Sequence, residues 1–332
     1  MFVSLAKLQQ VNWIRILKRT ILFSFKSKIY ISLISDYANA EVFLVVFVFS
    51  SIGNYNKRQT IRETWLSELS THKDLKHYFV ISSESAKDDE NLLISVEREK
   101  HKDLLIFHKL KDSFYLLTSK LVASFGWLTN STVLGEEGKS NTLRPFNRFK
   151  FVLKCDDDTF VRVREVINEL KTVYSGDKGR NLYWGFFDGR AKVKKGGKYK
   201  EEEWNICDYY IPYALGGGYI LSESLVSFIA TNEKFLKKYR NEDVSVGAWL
   251  SSYNNLNRVH DTRFDTEYIS RGCHQSYLVT HKHSETAMRN FHNNLKNTGH
   301  LCQREFKTRM SYNYDWQALP SKCCLRVNSN IP

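Results

Sequence analysis

Apolar runs of strand length alternate with amphipathic stretches over most of the chain. Residues 41–51 (EVFLVVFVFSS) are almost unbroken β-branched and aromatic residues, which predicts a strand buried on both faces and ended by Gly53. Residues 76–82 and 104–107 predict two more strands, with a charged helix over 86–101 between them. Over 112–127, Phe114, Leu117, Leu121 and Phe125 recur at the spacing of an amphipathic helix that also carries Lys120. Residues 149–155 form another apolar run, followed by a helix near 164–174 and a strand over 182–187. Residues 211–221 (IPYALGGGYIL) set three glycines ahead of a strand-like run, and 241–249 opens a further helix. This alternation predicts an α/β sandwich, a mainly parallel central sheet with flanking helices.

Residues 1–40 break the pattern. Their apolar pieces, 21–25 and 29–34, are split by Lys26 and Lys28, and six Lys or Arg stand against Asp36 alone. A spanning helix needs about 20 mostly apolar residues. We therefore expect a basic N-terminal segment over 1–40, a stem or degenerate anchor, and one catalytic domain over 41–332. At 332 residues and 42% hydrophobic, the chain can bury a sizeable core. Its net charge of +13 favours an anionic partner: nucleic acid, a membrane surface, a nucleotide or an acidic glycan. None of the six cysteines has zinc-knuckle spacing. Together with the glycosylation sequon Asn130-Ser131-Thr132, they lean toward the secretory pathway.

The chemistry gathers at few places. The run Phe151-Val152-Leu153-Lys154-Cys155 ends in Asp156-Asp157-Asp158. Three neighbouring carboxylates repel unless a positive group sits among them. A divalent cation resolves this, and ligands of open α/β sheets bind beyond the carboxyl ends of strands. A solvated acidic turn is the plainer alternative. Arg58 and Arg62 share a helical face after the first strand and could receive a diphosphate, or form an exposed basic helix. The glycines at 216–218 allow close approach of a ligand, or simply make a tight turn. Glu242 and Asp243 suit the start of a helix and also suit general-base work. His281 ends a strand and could join Asp158 on a metal. Trp184 and Tyr210 could be sugar platforms or core residues. The loop 190–200 carries six basic residues, reading either as a flexible solvated loop or as a receiver for an acidic acceptor.

The order Arg58…Arg62-x-Thr64-Trp65, Asp156-Asp157-Asp158, the glycines at 216–218, Glu242-Asp243-Val244 and His281 resembles the β-1,3-glycosyltransferases of family 31. The resemblance covers about residues 41–332. The blocks YWGFFDGRAKVKKGGKY, CDYYIPYALGGGYILS, EDVSVGAWL, RFDTEYISRGC and YLVTHK look closer still to members that build the glycosaminoglycan linkage region. The resemblance implies a GT-A type nucleotide-diphospho-sugar transferase fold, UDP-galactose as donor and Mn²⁺ as cofactor. It implies transfer of galactose in β-1,3 linkage to the galactose of Gal-β-1,4-Xyl on proteoglycan core proteins. It also implies a Golgi type II membrane protein with a lumenal catalytic domain and no nucleic-acid partner. By resemblance, Asp158 and His281 are the metal ligands, and Asp243 is the general base. Glu242 orients the acceptor, with Trp184 as a candidate beside it. Arg58, Arg62, Asp156, Asp157 and Gly217 bind the nucleotide-sugar, with Asp156 on the ribose or ordering the site. Cys155 looks like a replacement of a small residue with no disulfide role, whereas Cys323 and Cys324 would pair with different partners. Residues 129–147 look like an insertion, and 1–40 lack the family's single apolar anchor. The rivals are a related transferase with an N-acetylglucosamine donor or another acceptor, a non-catalytic glycan-binding protein of the same fold, and a metal-dependent nuclease.

Overall fold

The structure is a computed structural model that describes residues 41–67, 74–129, 144 and 146–324. The basic segment 1–40 and the sequon at 130–132 lie outside the described residues. Two compact units are distinguished, one of residues 1–41 with 144–148 and the other of 42–143 with 149–332. Every residue of the site described below belongs to the second.

Along the chain, the first half runs β1 (Glu41–Phe49), α1 (Tyr55–Glu63), β2 (Leu75–Ser82), α2 (Asp88–His101), β3 (Leu104–Phe107), α3 (Leu117–Thr129) and β4 (Arg148–Asp156). Then come β5 (Phe160–Val161), α4 (Val163–Thr172), β6 (Leu182–Asp188), β7 (Tyr213–Ser222), α5 (Glu223–Thr231) and α6 (Glu242–Leu250). The C-terminal part adds β8 (Asn257–His260), β9 (Phe264–Asp265), β10 (Gly272–Cys273), β11 (Val279–Thr280), α7 (Glu285–Thr298) and β12 (Phe306–Lys307). Seven strands form the central sheet in the order β3-β2-β1-β4-β7-β6-β8. β1, β2 and β3 pair in parallel, as do β6 and β8, while β7 runs antiparallel to both β4 and β6. The expected α/β sheet with flanking helices is therefore present. No helix among the described residues is long and apolar enough to cross a membrane.

The strand predictions hold because each run is buried as its composition requires. Leu44, Val45, Val46, Phe47 and Val48 of β1 are all fully buried, so both faces of the strand meet core. Two local readings change. The helix expected over 112–127 starts as a 3₁₀ turn at Phe114–Leu116, with Ser113 accepting a bond from the Tyr115 N–H, before α3 proper. The three glycines do not precede a strand; they sit inside β7, where Cys155 of β4 pairs with Gly218. Glycine inside a strand marks a close approach. A Cβ on Gly218 would lie 2.7 Å from Val279, and one on Gly217 would lie 2.6 Å from the His281 ring. The small three-stranded sheet β5-β11-β9 thus packs against β7, and it delivers His281 to the end of β4.

Candidate active site

The acidic end of β4 opens into a cleft of about 350 Å³ whose lining includes Ser50, Asn54, Phe114, Tyr199, His281 and Lys282 besides the three aspartates. The aspartates are not equivalent. Asp157 turns inward and is claimed by its surroundings: Oδ2 accepts bonds from Ser50 Oγ and Asn54 Nδ2, both 2.8 Å, and Oδ1 pairs with Lys57 Nζ at 3.1 Å. Asp156, Asp158 and His281 instead bring one ligand atom each within 4.8 Å of one another. His281 Nδ1 lies 3.1 Å from Asp158 Oδ1, an ion-pair contact that is not aligned as a hydrogen bond. Burial opposes ionisation of Asp158, and the adjacent imidazole overrides it, drawing the carboxyl below its ordinary range. The turn carrying His281 is pinned on both sides. Its N–H donates to the Asp265 carbonyl at 3.0 Å, and the His283 N–H donates to the Asp158 carbonyl at 2.9 Å. Between them Lys282 adopts φ +67°, a left-handed conformation that a lysine rarely takes.

The tautomer of His281 follows from Thr159. Its single hydroxyl proton goes to the Gly217 carbonyl at 2.8 Å. At the imidazole, 3.0 Å away, the hydroxyl can then only accept, so Nδ1 carries the proton. Nε2 is then the nitrogen able to ligate, and it faces Asp156 Oδ2 at 4.0 Å. An imidazole nitrogen able to ligate and two carboxylates form a donor set that suits a divalent metal ion.

A second acidic pair heads α6. Asp243 Oδ2 accepts the Gly216 N–H and its Oδ1 accepts the Val244 N–H, each at 2.9 Å. Burial raises its pKa against the pull of these donors, which makes it a stronger base than a solvated aspartate. Glu242 also comes close to Gly216 but is more deeply buried. Tyr219 donates its hydroxyl to Oε1, and Lys154 Nζ lies 3.1 Å from Oε2. Burial pushes this carboxyl up to about 7, with Lys154 opposing the rise. Lys154 also bonds Asp156 Oδ1 at 2.9 Å, so the two acidic groups are joined through one buried cation.

Residues 56–261 match the sequence profile of the Galactosyltransferase family, more than half of the chain. The chain belongs to this family. It is thereby a hexosyl-transferring enzyme. Mouse (Mus musculus) beta-1,3-galactosyltransferase 6 is 40% identical over 289 residues, covering 86% of this chain and 84% of that protein. Hydroxyproline O-galactosyltransferase GALT5 of Arabidopsis thaliana is 31% identical over 260 residues, 75% of this chain and 35% of that protein. Among solved structures, the mannosyltransferase PcManGT from Pyrobaculum calidifontis in complex with GDP-Man and Mn²⁺ aligns over 76% of this chain and 62% of its own. Its TM-score is 0.38 at 9% identity, too distant to carry conclusions here.

Several residues expected to meet substrate in this galactosyltransferase do something else. Arg58 is 1% exposed, and all five of its N–H groups are used, on Glu97, Ser50, Ser51 and Ile52. Arg62 grips both oxygens of Asp103 at 2.8 Å and Glu97 at 2.7 Å, stacked over Phe79. Arg58 cannot receive a diphosphate without breaking a buried ion pair, and Arg62 keeps only one nitrogen, the buried Nη1, without a hydrogen-bond partner. Gly217 makes room for His281 rather than for a ligand. Glu242 is 5% exposed, with Tyr219 and Lys154 on its oxygens, so an acceptor does not reach it, whereas Asp243 next to it is partly exposed. Trp184 is fully buried, its indole N–H on Asp261 Oδ2 at 2.9 Å, and Tyr210 is buried against Trp204 and Tyr213. Neither shows a face to a sugar. The loop 190–200 is not loose. Val193 and Tyr210 make backbone bonds to Asp208 and Ala191, and buried Glu201 accepts the Arg240 N–H at 2.8 Å. Cys323 and Cys324 bond to each other rather than to separate partners; Cys273 pairs with Cys302, and Cys155 and Cys207 are free.

Sequence reasoning passed over Lys154, Thr159 and Tyr199. Lys154 left a signal, a lone cation inside an apolar strand run, which only an acidic partner can stabilise. Thr159 and Tyr199 left none, because their roles come from the return of β11 and of loop 190–200 to the end of β4.

Proposed function

We propose that this enzyme is an inverting β-1,3-galactosyltransferase that moves galactose from UDP-galactose to the galactose of Gal-β-1,4-Xyl on proteoglycan core proteins. The observation that carries the reading is the 40% identity to the mouse enzyme along most of both chains. The gathering of Asp156, Asp158 and His281 beside Asp243 supports it. By the same likeness, the protein works at the Golgi membrane with its catalytic domain in the lumen, and its fold is of the GT-A type.

Asp156, Asp158 and His281 would hold Mn²⁺, which when bound supplies positive charge to the departing diphosphate. The protein's own residues do the rest. Asp243 takes the proton of the acceptor 3-hydroxyl as its oxygen bonds to the anomeric carbon and the bond from that carbon to UDP breaks. The Gly216 and Val244 N–H groups fix the carboxylate's direction. Each oxygen of Asp243 holds one of these donors and keeps a lone pair for the incoming hydroxyl. Tyr199 and Lys198, from the ordered basic loop, form one wall of the cleft. The deciding experiment is galactose transfer from UDP-galactose to a Gal-β-1,4-Xyl acceptor, with linkage analysis of the product. A β-1,3-linked galactose supports the reading. Transfer only from another UDP-sugar, or to another acceptor, overturns it.

A further inference from the structure

We infer that Lys154 is a positioning residue, whose buried ammonium holds the metal-facing carboxylate and the catalytic acid pair in one fixed arrangement. The inference rests on the functional reading above for the roles of Asp156 and Asp243. It goes beyond that reading in assigning a task to a residue that touches neither substrate nor metal.

Lys154 lies in the interior of β4, 2% exposed. An ammonium has three hydrogens. Here they find three acceptors: Asp156 Oδ1 at 2.9 Å, the Gly216 carbonyl at 2.8 Å and Glu242 Oε2 at 3.1 Å. The rings of Phe49 at 5.0 Å and Tyr219 at 6.0 Å cover what is left of the cation. The three acceptors belong to β4, β7 and α6. One atom therefore ties together the three elements that supply the site.

Each tie has a consequence for chemistry. With Oδ1 of Asp156 held by Lys154, Oδ2 is left facing His281 Nε2. Among the described residues the ammonium is the hydrogen-bond donor to Oδ1, and without it the side chain is free to leave the metal set. Gly216 is bonded at both ends: its carbonyl to Lys154 and its N–H to Asp243 Oδ2. Lys154 thus fixes the strand position from which Asp243 takes its direction. A Cβ on Gly216 would stand 3.2 Å from Asp243 Oδ2, so the strand and the carboxylate leave each other little slack. Glu242, which is not part of the cleft lining, gains a role as the acceptor that keeps Lys154 in place.

A purely structural ion pair would show the same distances, so the test must separate stability from positioning. Two variants of the full chain do this. Lys154→Met leaves Glu242 buried and uncompensated and should melt well below the wild type. Lys154→Met with Glu242→Gln removes both buried charges and should recover most of that loss. The readout is Mn²⁺ binding followed by calorimetry, with Mn²⁺ alone and again with UDP, beside KM for UDP-galactose and kcat. If Lys154 positions Asp156, the double variant binds Mn²⁺ about 10- to 100-fold more weakly than wild type despite its restored melting temperature, the range expected when a group behind a metal ligand is lost. Wild-type Mn²⁺ affinity in the restored double variant would overturn the inference and leave Lys154 as a counter-ion only. Wild-type protein that binds Mn²⁺ but transfers no galactose sinks the proposed function, and the Mn²⁺ arm still decides on Lys154. Wild-type protein that binds no Mn²⁺ overturns both.

Discussion

The head of α1 and the end of β4 carry opposite charges, and both present side chains suited to a nucleotide-sugar. Their surroundings separate them. In α1, Arg58 has five donors and five acceptors, all within the protein, and it is sealed beside Glu97. At β4, Asp158 Oδ1 meets only His281 Nδ1, without an aligned hydrogen bond, and His281 Nε2 faces Asp156 with none. Arg58 has completed its chemistry within the fold and Arg62 all but one buried nitrogen, whereas the strand end lines a cleft and has chemistry left over for a ligand. Residue type suggests what a side chain can bind, but the count of unused donors and acceptors says whether it is available.

The division between closed and open groups also runs between two adjacent residues, Glu242 and Asp243, and this gives the largest predicted effect. Asp243→Asn should lower kcat by about 10²–10⁴-fold, the usual contribution of a positioned base. UDP–Mn²⁺ binding by calorimetry should stay near wild type. Near-normal turnover would move the base elsewhere and place Asp243 on the closed side.

The two regions first compared should fail in opposite ways. Arg58→Ala leaves Glu97, 3% exposed, with Arg62 as its one remaining arginine, and should cost about 3 kcal/mol of stability, the low end for a broken buried pair. The fraction still folded should bind UDP normally. Asp158→Ala should leave denaturation nearly unchanged and abolish the Mn²⁺ dependence of UDP binding. Urea melts and calorimetry on both variants check this. If Arg58→Ala weakened UDP binding without loss of stability, the buried pair would not be the arginine's main task.

Legibility in the sequence divides along the same line. The strands were readable because burial on both faces demands unbroken apolar runs such as 41–49, and the acidic end of β4 was readable as one of two things, a metal site or a solvated turn, because three neighbouring aspartates need either a positive group or water. The partners of each polar group were not readable. Glu97 and Asp103, which occupy the arginines, lie 35 to 41 residues away on α2 and just after it. Trp184 looked like a sugar platform because aromatic residues serve core and ligand alike; only its burial beside Tyr174 and Phe264 decides. The glycines of β7 were seen, but their meaning needed His281 and Val279 brought against them from 60 residues downstream.

Thr159 offers a finer test of openness at His281. Thr159→Val removes the acceptor that fixes the Nδ1 proton but keeps the side-chain shape. Mn²⁺ affinity should fall about 10- to 100-fold, as for other residues behind a metal-bound histidine. The imidazole nitrogen signals in NMR should show a mixture of tautomers where the wild type shows one. A single tautomer and unchanged affinity would mean that Asp158, 3.1 Å from Nδ1, orients the ring unaided.

The smallest effect concerns Glu242, the closed member of the second pair. Its carboxyl titrates near 4.5 when unfolded and, because burial outweighs the Lys154 and Tyr219 contacts, near 7 when folded. Between those values the native state holds a proton that the unfolded chain has released. Native stability from this group is therefore full below about pH 4.5 and declines as pH rises toward 7. Glu242→Gln carries no such proton and should lack that decline. The stability difference between pH 4.5 and 7.5, from urea denaturation, should thus shrink in the variant by an amount on the order of 1–2 kcal/mol. Asp243 next door shifts in the same direction, so the comparison must be variant against wild type rather than either alone. Equal slopes in the two proteins would show that Lys154 keeps Glu242 ionised across the whole range, and that this acid is closed by its ion pair rather than by its proton.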